Sequence, residues 1–364
     1  MKNKKTIFLV GADTGGHVVP VFALAKDLAL DEKYRVVVIG VGSTIEKRFY
    51  RKLSAVEYRT IVAGKFQFKS AWRNFIAVLK SGIGFFQSIG LIVKYHPKVI
   101  FLKGNYATVP VAYAARIFGI PIFAHESDAI IGKSNKLIAG FARKLFVSYP
   151  AEVFSHPGKN LEYSGAILRS EYQIKTFGPK NQAKKMPTVL ILGGSQGAHA
   201  INEIIFSTLK ELVSGYEIIH QTGVVDYKRS VEKKRELSKE IAGNYQPSAF
   251  IEDDFQAISK ADLIISRASS SIFEFAAFRK AIILIPYPYA SLDHQLANAK
   301  YFADRDAAIV LNEKDLSPTI LYSAIAKILS SEKRKKELGQ KLGKSVKLNG
   351  ERIIRDELVK FLER

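Results

Sequence analysis

The chain has 364 residues, 47% of them hydrophobic and 24% charged, an ordinary globular composition and enough length for two domains with full cores. It contains no cysteine, which excludes disulfides and thiolate metal sites and fits a reducing cytosol. The net charge of +21 is uneven: residues 1–160 hold 24 Lys/Arg against 9 Asp/Glu, the remainder 31 against 25. Met1-Lys2-Asn3-Lys4-Lys5 leads directly into an apolar run, without the long apolar region or small-residue cleavage site of a secretory signal. Ile7-Phe8-Leu9-Val10 reads as a strand, Gly11-Ala12-Asp13-Thr14-Gly15-Gly16-His17 as a glycine-rich turn, and Val21–Leu28 as a helix. Such a turn lets backbone approach a ligand and presents helix N–H groups to phosphate.

Strand-like runs follow at Val36–Ile39, Val99–Leu102, Ile122–Ala124 and Leu145–Val147. No acidic residue lies between Glu57 and Glu126, whereas nine Lys and Arg do, among them Lys65, Lys69, Arg73, Lys80 and Lys103. A face of this kind attracts nucleic acid, anionic lipid or diphosphates. Within it, Ala71–Lys94 carries Trp72, Phe75, Ile76, Leu79, Ile83, Phe86, Ile89 and Val93 at helical spacing. The stripe fits a core helix, and equally an interfacial helix whose basic residues meet headgroups while its aromatics dip below. A membrane span fits less well, because Lys80 interrupts a run already short of roughly 20 residues.

Ser170–Met186 is polar and reads as a linker. Val189–Leu192 then opens a second strand–turn–helix unit, with Gly193-Gly194-Ser195-Gln196-Gly197-Ala198 as the turn and Ile201–Leu212 as the helix, roughly 180 residues after the first. Glu217–Ile219, Leu263–Ile265, Ile282–Ile285 and Ala308–Val310 complete this half, and beyond Ser330 the pattern is charged helix to the end. Alternation of this kind implies βαβ units with parallel sheets. Two nucleotide-fold domains facing each other across a cleft are the expected architecture, with polar motifs at the carboxyl ends of the strands.

Those motifs are Lys103–Pro110, His125-Glu126-Ser127-Asp128 with Gly132 and Asn135, Gly165–Arg169, His220–Gly223, Arg267–Glu274 and Asp293–Ala299. In this order, from about Thr6 to Asn298, they resemble the MurG family, UDP-N-acetylglucosamine:lipid I N-acetylglucosaminyltransferases of peptidoglycan synthesis. The resemblance implies an α/β GT-B fold and inverting transfer of GlcNAc to the muramyl 4-hydroxyl of lipid I. It implies no metal, no cofactor and no nucleic acid, and a peripheral place at an anionic membrane surface on the cytoplasmic face. The domains it suggests are 1–165 for the acceptor and membrane, 166–340 for UDP-GlcNAc, and 341–364 as a helix packing back on the first.

Carried onto this sequence, the family's first histidine is His17, the expected general base, with Glu126 as a second catalytic group. Acceptor contacts fall on Thr14, Gly15, Gly16, Tyr106 and Asp128. Donor contacts fall on Arg169, Ser195, Gln196, Ile251, Ser269, Ser270, Glu274, His294 and Gln295. Membrane contacts fall on Lys69, Trp72, Arg73, Phe75 and Leu79. Two departures stand out: Ala12-Asp13 replaces paired glycines, and the Ala268–Ser271 loop is one residue short.

The chemistry asks for the same parts: a base for the acceptor hydroxyl and preorganised charge for the departing diphosphate. An imidazole of unperturbed pKa ~6.5 suits the first task. The rival readings are another GT-B enzyme using a UDP-sugar (a glycolipid transferase or a UDP-GlcNAc epimerase), or a degenerate homologue without activity. No recognition motif supports nucleic-acid binding, and no clean G-x-G-x-x-G supports a NAD enzyme.

Overall fold

The computed structural model describes residues 4–65, 70–155, 158–173, 186–193 and 197–363. The chain divides into two compact units, residues 1–170 with 347–364, and residues 171–346. The seams thus fall a few residues beyond the expected boundaries at 165 and 340.

The first unit is a seven-stranded sheet of β1 (Lys5–Val10), β2 (Tyr34–Gly40), β3 (Glu57–Thr60), β4 (Val99–Lys103), β5 (Ile122–Glu126), β6 (Lys144–Val147) and β7 (Leu161–Tyr163), ordered β3-β2-β1-β4-β5-β6-β7. Every pairing is parallel, with Ile7 opposite both Val36 and Val99. β1 is central and buried on both faces, which is why its sequence is a continuous apolar run. Chain order reverses between β1 and β4, and ligands gather at the carboxyl ends of strands at such a switch.

The helix after β1 begins earlier than its apolar pattern suggests. It runs Gly15–Leu28 and takes in His17. A Cβ on Gly11 would lie 2.6 Å from the His17 carbonyl oxygen and from Val21, so only glycine allows strand and helix this approach.

The second unit is a six-stranded parallel sheet of β8 (Thr188–Leu192), β9 (Glu217–Gln221), β10 (Tyr245–Ser248), β11 (Leu263–Ser266), β12 (Ala281–Leu284) and β13 (Ile309–Val310), ordered β10-β9-β8-β11-β12-β13. It repeats the first plan, with its switch between β8 and β11. The single helix expected over Ile201–Leu212 is two, His199–Ser207 and Leu209–Gly215. Between them the Thr208 hydroxyl donates to the Ile204 carbonyl, competing with backbone for that acceptor.

The expected continuous C-terminal helix is also two. Glu332–Lys344 belongs to the second unit, and Gly350–Glu363 returns to the first. The return is pinned where Ala166 N–H donates to the Lys347 carbonyl and Gly350 N–H to the Ala166 carbonyl, both at 3.0 Å. Ile354, Leu358 and Leu362 then join the core of Ile7, Leu24 and Phe123, and Arg355 pairs with Asp27 at 2.9 Å.

Candidate functional site

At the β1/β4 switch, the Asn105 side-chain amide donates to the Ala12 carbonyl at 2.7 Å and ties the two strand-end turns together. Asp13 has φ of 76°, the left-handed region that favours glycine. Its N–H donates to Glu46 Oε1 at 2.8 Å, and its carboxylate pairs with Lys65 at 3.1 Å. Tyr106 faces the same carboxylate; burial first, then the Asp13 charge, pushes its hydroxyl up to about 12. The carboxylate that stands in place of a glycine is therefore neutralised locally. Lys103, another cation of the basic stretch, is engaged elsewhere. It is 2% exposed, and its ammonium donates to the Ser127 hydroxyl.

Thr14 is extended, and its hydroxyl pairs with His17 Nδ1 at 2.9 Å instead of capping the helix. His17 N–H and Val18 N–H both donate to the Thr14 carbonyl. The first turn of the helix leaves the N–H groups of Gly15 and Gly16 for an anion. When Nδ1–H donates to Thr14, Nε2 carries the lone pair that a base requires.

Glu126, at the end of β5, does not suit the catalytic role expected of it. One carboxylate oxygen accepts from Ser127 N–H and Asp128 N–H at 2.8 and 3.1 Å. The other accepts from Gly132 N–H and the Asn135 amide at 2.8 and 3.0 Å. With four donors and burial around it, Glu126 shapes the loop that carries Asp128 and offers no open oxygen to a substrate proton. His125 is buried, with Nε2 against the Gly165 carbonyl, and burial holds it neutral, its pKa well below the usual value. Burial likewise lowers the Lys103 pKa, against the opposing pull of Glu126 and Asp128.

Helix Ala71–Tyr95 turns Ala77, Gly84, Ser88, Ile92 and Tyr95 inward. The larger apolar side chains face outward: Trp72 is 70% exposed and Phe86 72%, with Phe75, Leu79 and Ile83 about half exposed, and Arg73 and Lys80 exposed beside them. The helix is long and apolar enough to cross a membrane by length and composition. Its inner face is closely packed, since a Cβ on Gly84 would lie 2.0 Å from the Val62 carbonyl oxygen.

In the second unit the expected residues collect at the carboxyl edge of β9 to β12. The turn after β11 is held by Arg267, which pairs with Glu313 and donates to the Ile285 carbonyl, and by the Asn298 amide donating to the Ala268 carbonyl at 2.9 Å. This turn presents half-buried Ser269 and Ser270 ahead of helix Ile272–Ala277, whose third residue is Glu274. The Gln295 side-chain oxygen accepts from Tyr287 N–H at 2.9 Å. The Ser291 carbonyl accepts from His294 Nδ1–H at 2.7 Å, which leaves Nε2 of a neutral ring as an acceptor. Leu292 and Asp293 are both left-handed just before helix His294–Ala303, backbone strain of the kind that clusters at ligand sites. Ile251 N–H is taken by the Gln221 side chain at 2.9 Å, so its carbonyl is what it offers a ligand.

Arg169, expected on the donor side, belongs to the first unit. Ser195, Gln196 and Lys69 lie outside the described residues. Sequence reasoning missed Glu46, the pairing of Lys65 with Asp13, and the bond from Ile251 N–H to Gln221. Ser43-Thr44-Ile45-Glu46 has the spacing of a capping box, the one signal that singles out Glu46, and Ser43 does accept from Glu46 N–H.

Comparison with known proteins follows the same division. Residues 7–147 match the glycosyltransferase family 28 N-terminal domain and residues 188–353 the family 28 C-terminal domain. The UDP-N-acetylglucosamine--N-acetylmuramyl-(pentapeptide) pyrophosphoryl-undecaprenol N-acetylglucosamine transferase of Clostridium kluyveri is 34% identical over 333 residues, 89% of this chain and 91% of that one. Its namesake from Geobacillus kaustophilus is 31% identical over 94% of this chain and 95% of its own. Among solved structures, Acinetobacter baumannii MurG superposes with a TM-score of 0.75 at 26% identity, covering 98% of this chain and all of that one. A UDP-N-acetylglucosamine 2-epimerase, at 10% identity and a TM-score of 0.68 over 100% of this chain and 98% of its own, shares the fold.

Proposed function

The chain belongs to glycosyltransferase family 28, among the UDP-N-acetylglucosamine--N-acetylmuramyl-(pentapeptide) pyrophosphoryl-undecaprenol N-acetylglucosamine transferases, and from that premise we propose that it transfers N-acetylglucosamine from UDP-GlcNAc to the muramyl 4-hydroxyl of lipid I, making lipid II. The observation that carries the mechanism is the Thr14–His17 pair at the β1/β4 switch. His17 Nε2 takes the proton of the acceptor hydroxyl as that oxygen attacks the anomeric carbon from the face opposite UDP. One C–O bond forms, one breaks, the configuration inverts, and the diphosphate leaves with the electron pair. Gly15 and Gly16 N–H groups and Thr14 hold the acceptor's phosphates, with Tyr106 and Asp128 beside them. In the second unit Glu274 accepts from the ribose hydroxyls, Ile251 meets the base, Ser269 and Ser270 the diphosphate, and His294 and Gln295 the sugar. The reaction needs no metal ion in this reading. Transfer of labelled GlcNAc from UDP-GlcNAc onto lipid I tests the proposal directly; a folded chain that binds UDP-GlcNAc and transfers nothing overturns it.

We place the protein peripherally at the cytoplasmic face of the membrane, with the outward stripe of helix Ala71–Tyr95 on anionic lipid. Trp72→Ser with Phe75→Ser should weaken binding to phosphatidylglycerol vesicles and leave the melting temperature within a few degrees, because both side chains are exposed. Arg73→Glu with Lys80→Glu should act mainly at low salt. A collapsed melting transition in the serine variant would make the stripe part of the core.

Asp13→Gly should leave UDP affinity unchanged and raise acceptor affinity modestly or not at all, since Lys65 and Tyr106 already screen the carboxylate. Glycine also relieves the positive φ, worth about 1–2 kcal/mol, set against about 0.4–1 kcal/mol for the flexibility it adds to the unfolded chain. Abolished transfer with intact UDP binding would give Asp13 a direct part in the reaction.

A further inference from the structure

We infer that Glu46 is a positioning residue for the His17 turn, a buried carboxylate that fills from within an anion nest built jointly by that turn and the loop after β2. The inference rests on His17 being the base and adds the group that fixes where the base stands.

Glu46 has no exposed surface. Its Oε1 accepts from Asp13 N–H at 2.8 Å and from the Ser43 hydroxyl at 2.9 Å. Its Oε2 accepts from Val41 N–H at 2.9 Å, Gly42 N–H at 3.0 Å and the Tyr58 hydroxyl at 2.5 Å. Five donors, three of them backbone N–H, are the arrangement with which loops bind a phosphate or carboxylate ligand. Here the anion is part of the chain. Burying it is tolerable because donors surround both oxygens. The space is cut to the carboxylate, since a Cβ on Gly40 would lie 2.0 Å from Oε2.

The consequence runs along the turn. Asp13 is a non-glycine residue with positive φ, and a charge-assisted bond to its N–H offsets that strain. Thr14 follows directly, its carbonyl accepting from His17 N–H and its hydroxyl pairing with His17 Nδ1. Glu46 therefore reaches the imidazole through two hydrogen bonds joined by the Asp13–Thr14 peptide link. It also removes Asp13 N–H from any ligand, so the turn is not a phosphate cradle along its whole length. Only its helical end, at Gly15 and Gly16, is left for that task.

The test is Glu46→Gln in the full chain, assayed with UDP-GlcNAc and a soluble lipid I analogue. Glutamine keeps the shape but turns an NH2 group toward donors, and misplacing the base should lower kcat about 10- to 100-fold with UDP Kd unchanged. The His17→Ala/Glu46→Gln double variant should fall no further than His17→Ala alone, because a group acting through the base then has nothing to position. Glu46→Asp keeps the charge and draws it back by about 1.5 Å. It should fold and lose at least about 10-fold in kcat, and it carries the test if the glutamine variant does not fold. A folded variant with kcat within about twofold of wild type, or losses that multiply in the double variant, would overturn the inference alone. A wild-type chain that transfers nothing overturns it together with the functional reading.

Discussion

His17→Ala should lower kcat by about 10²–10⁴-fold while UDP affinity stays close to wild type. The two halves of this expectation come from different parts of the molecule. His17 sits in the first turn of the helix that follows β1 in the first unit, whereas the residues assigned to UDP sit at the carboxyl edge of the second sheet. A general base contributes in the transition state, as the acceptor hydroxyl gives up its proton, and adds little to ground-state donor binding. Its loss therefore appears in kcat and in kcat/KM for the acceptor. The structural cost should be small: the imidazole is half-buried, and the Thr14 carbonyl still receives both N–H bonds that start the helix. Thr14→Ala should be milder, because it frees the ring to rotate without removing it. Steady-state rates with calorimetric UDP binding check the split. Normal turnover in a folded His17→Ala chain would move the base elsewhere. Asp128 and Asp13 would then be the groups to test, since Glu126 has both oxygens occupied.

The central architecture was legible because central parallel strands are buried on both faces and so read as unbroken apolar runs, as in Ile7–Val10, Val99–Leu102 and Val189–Leu192. The strands that went unread are β3 (EYRT), β7 (LEY) and β10 (YQPS), all at sheet edges. There one flank is unpaired, half the residues are polar, and even a proline is accommodated. The stripe on Ala71–Tyr95 shows a different limit. Periodicity establishes that Trp72, Phe75, Leu79 and Ile83 share a face, but not which way that face turns. The opposite face, with Gly84 and Ser88, is the one that packs, because small residues allow close approach.

The site divides in the same manner. The order of motifs along the chain gave His17, Tyr106, Asp128 and Glu274 their expected roles. The two carboxylates whose partners are backbone N–H groups were opaque. Glu126 was read as catalytic, yet its donors lie in the loop it precedes, and Glu46 drew no attention, yet its donors lie in two separate turns. Side-chain chemistry can be read from a sequence; the direction of neighbouring N–H groups cannot.

Glu274→Ala should weaken UDP binding by on the order of 1–3 kcal/mol, roughly 5- to 150-fold in Kd. If the carboxylate accepts from both ribose hydroxyls, alanine leaves those two hydroxyls without their acceptor, and the cost is that of the lost charge-assisted hydrogen bonds. The substitution should leave the turn in place. Arg267 is held by Glu313 and the Ile285 carbonyl, and Ala268 by Asn298, none of which depends on Glu274. A competing account is available, since Glu274 is also a carboxylate in the first turn of helix Ile272–Ala277, where it favours the helix dipole. That role is worth about 0.3–1 kcal/mol of stability and nothing in UDP affinity. Calorimetry with UDP separates the two: weaker binding at nearly unchanged melting temperature assigns Glu274 to the ribose, whereas a lowered melting temperature with unchanged Kd leaves it a helix-terminal charge. Glu274→Gln sharpens the result. It keeps one acceptor oxygen and should recover part of the lost affinity, while a dipole role would see glutamine and alanine as equivalent losses of charge.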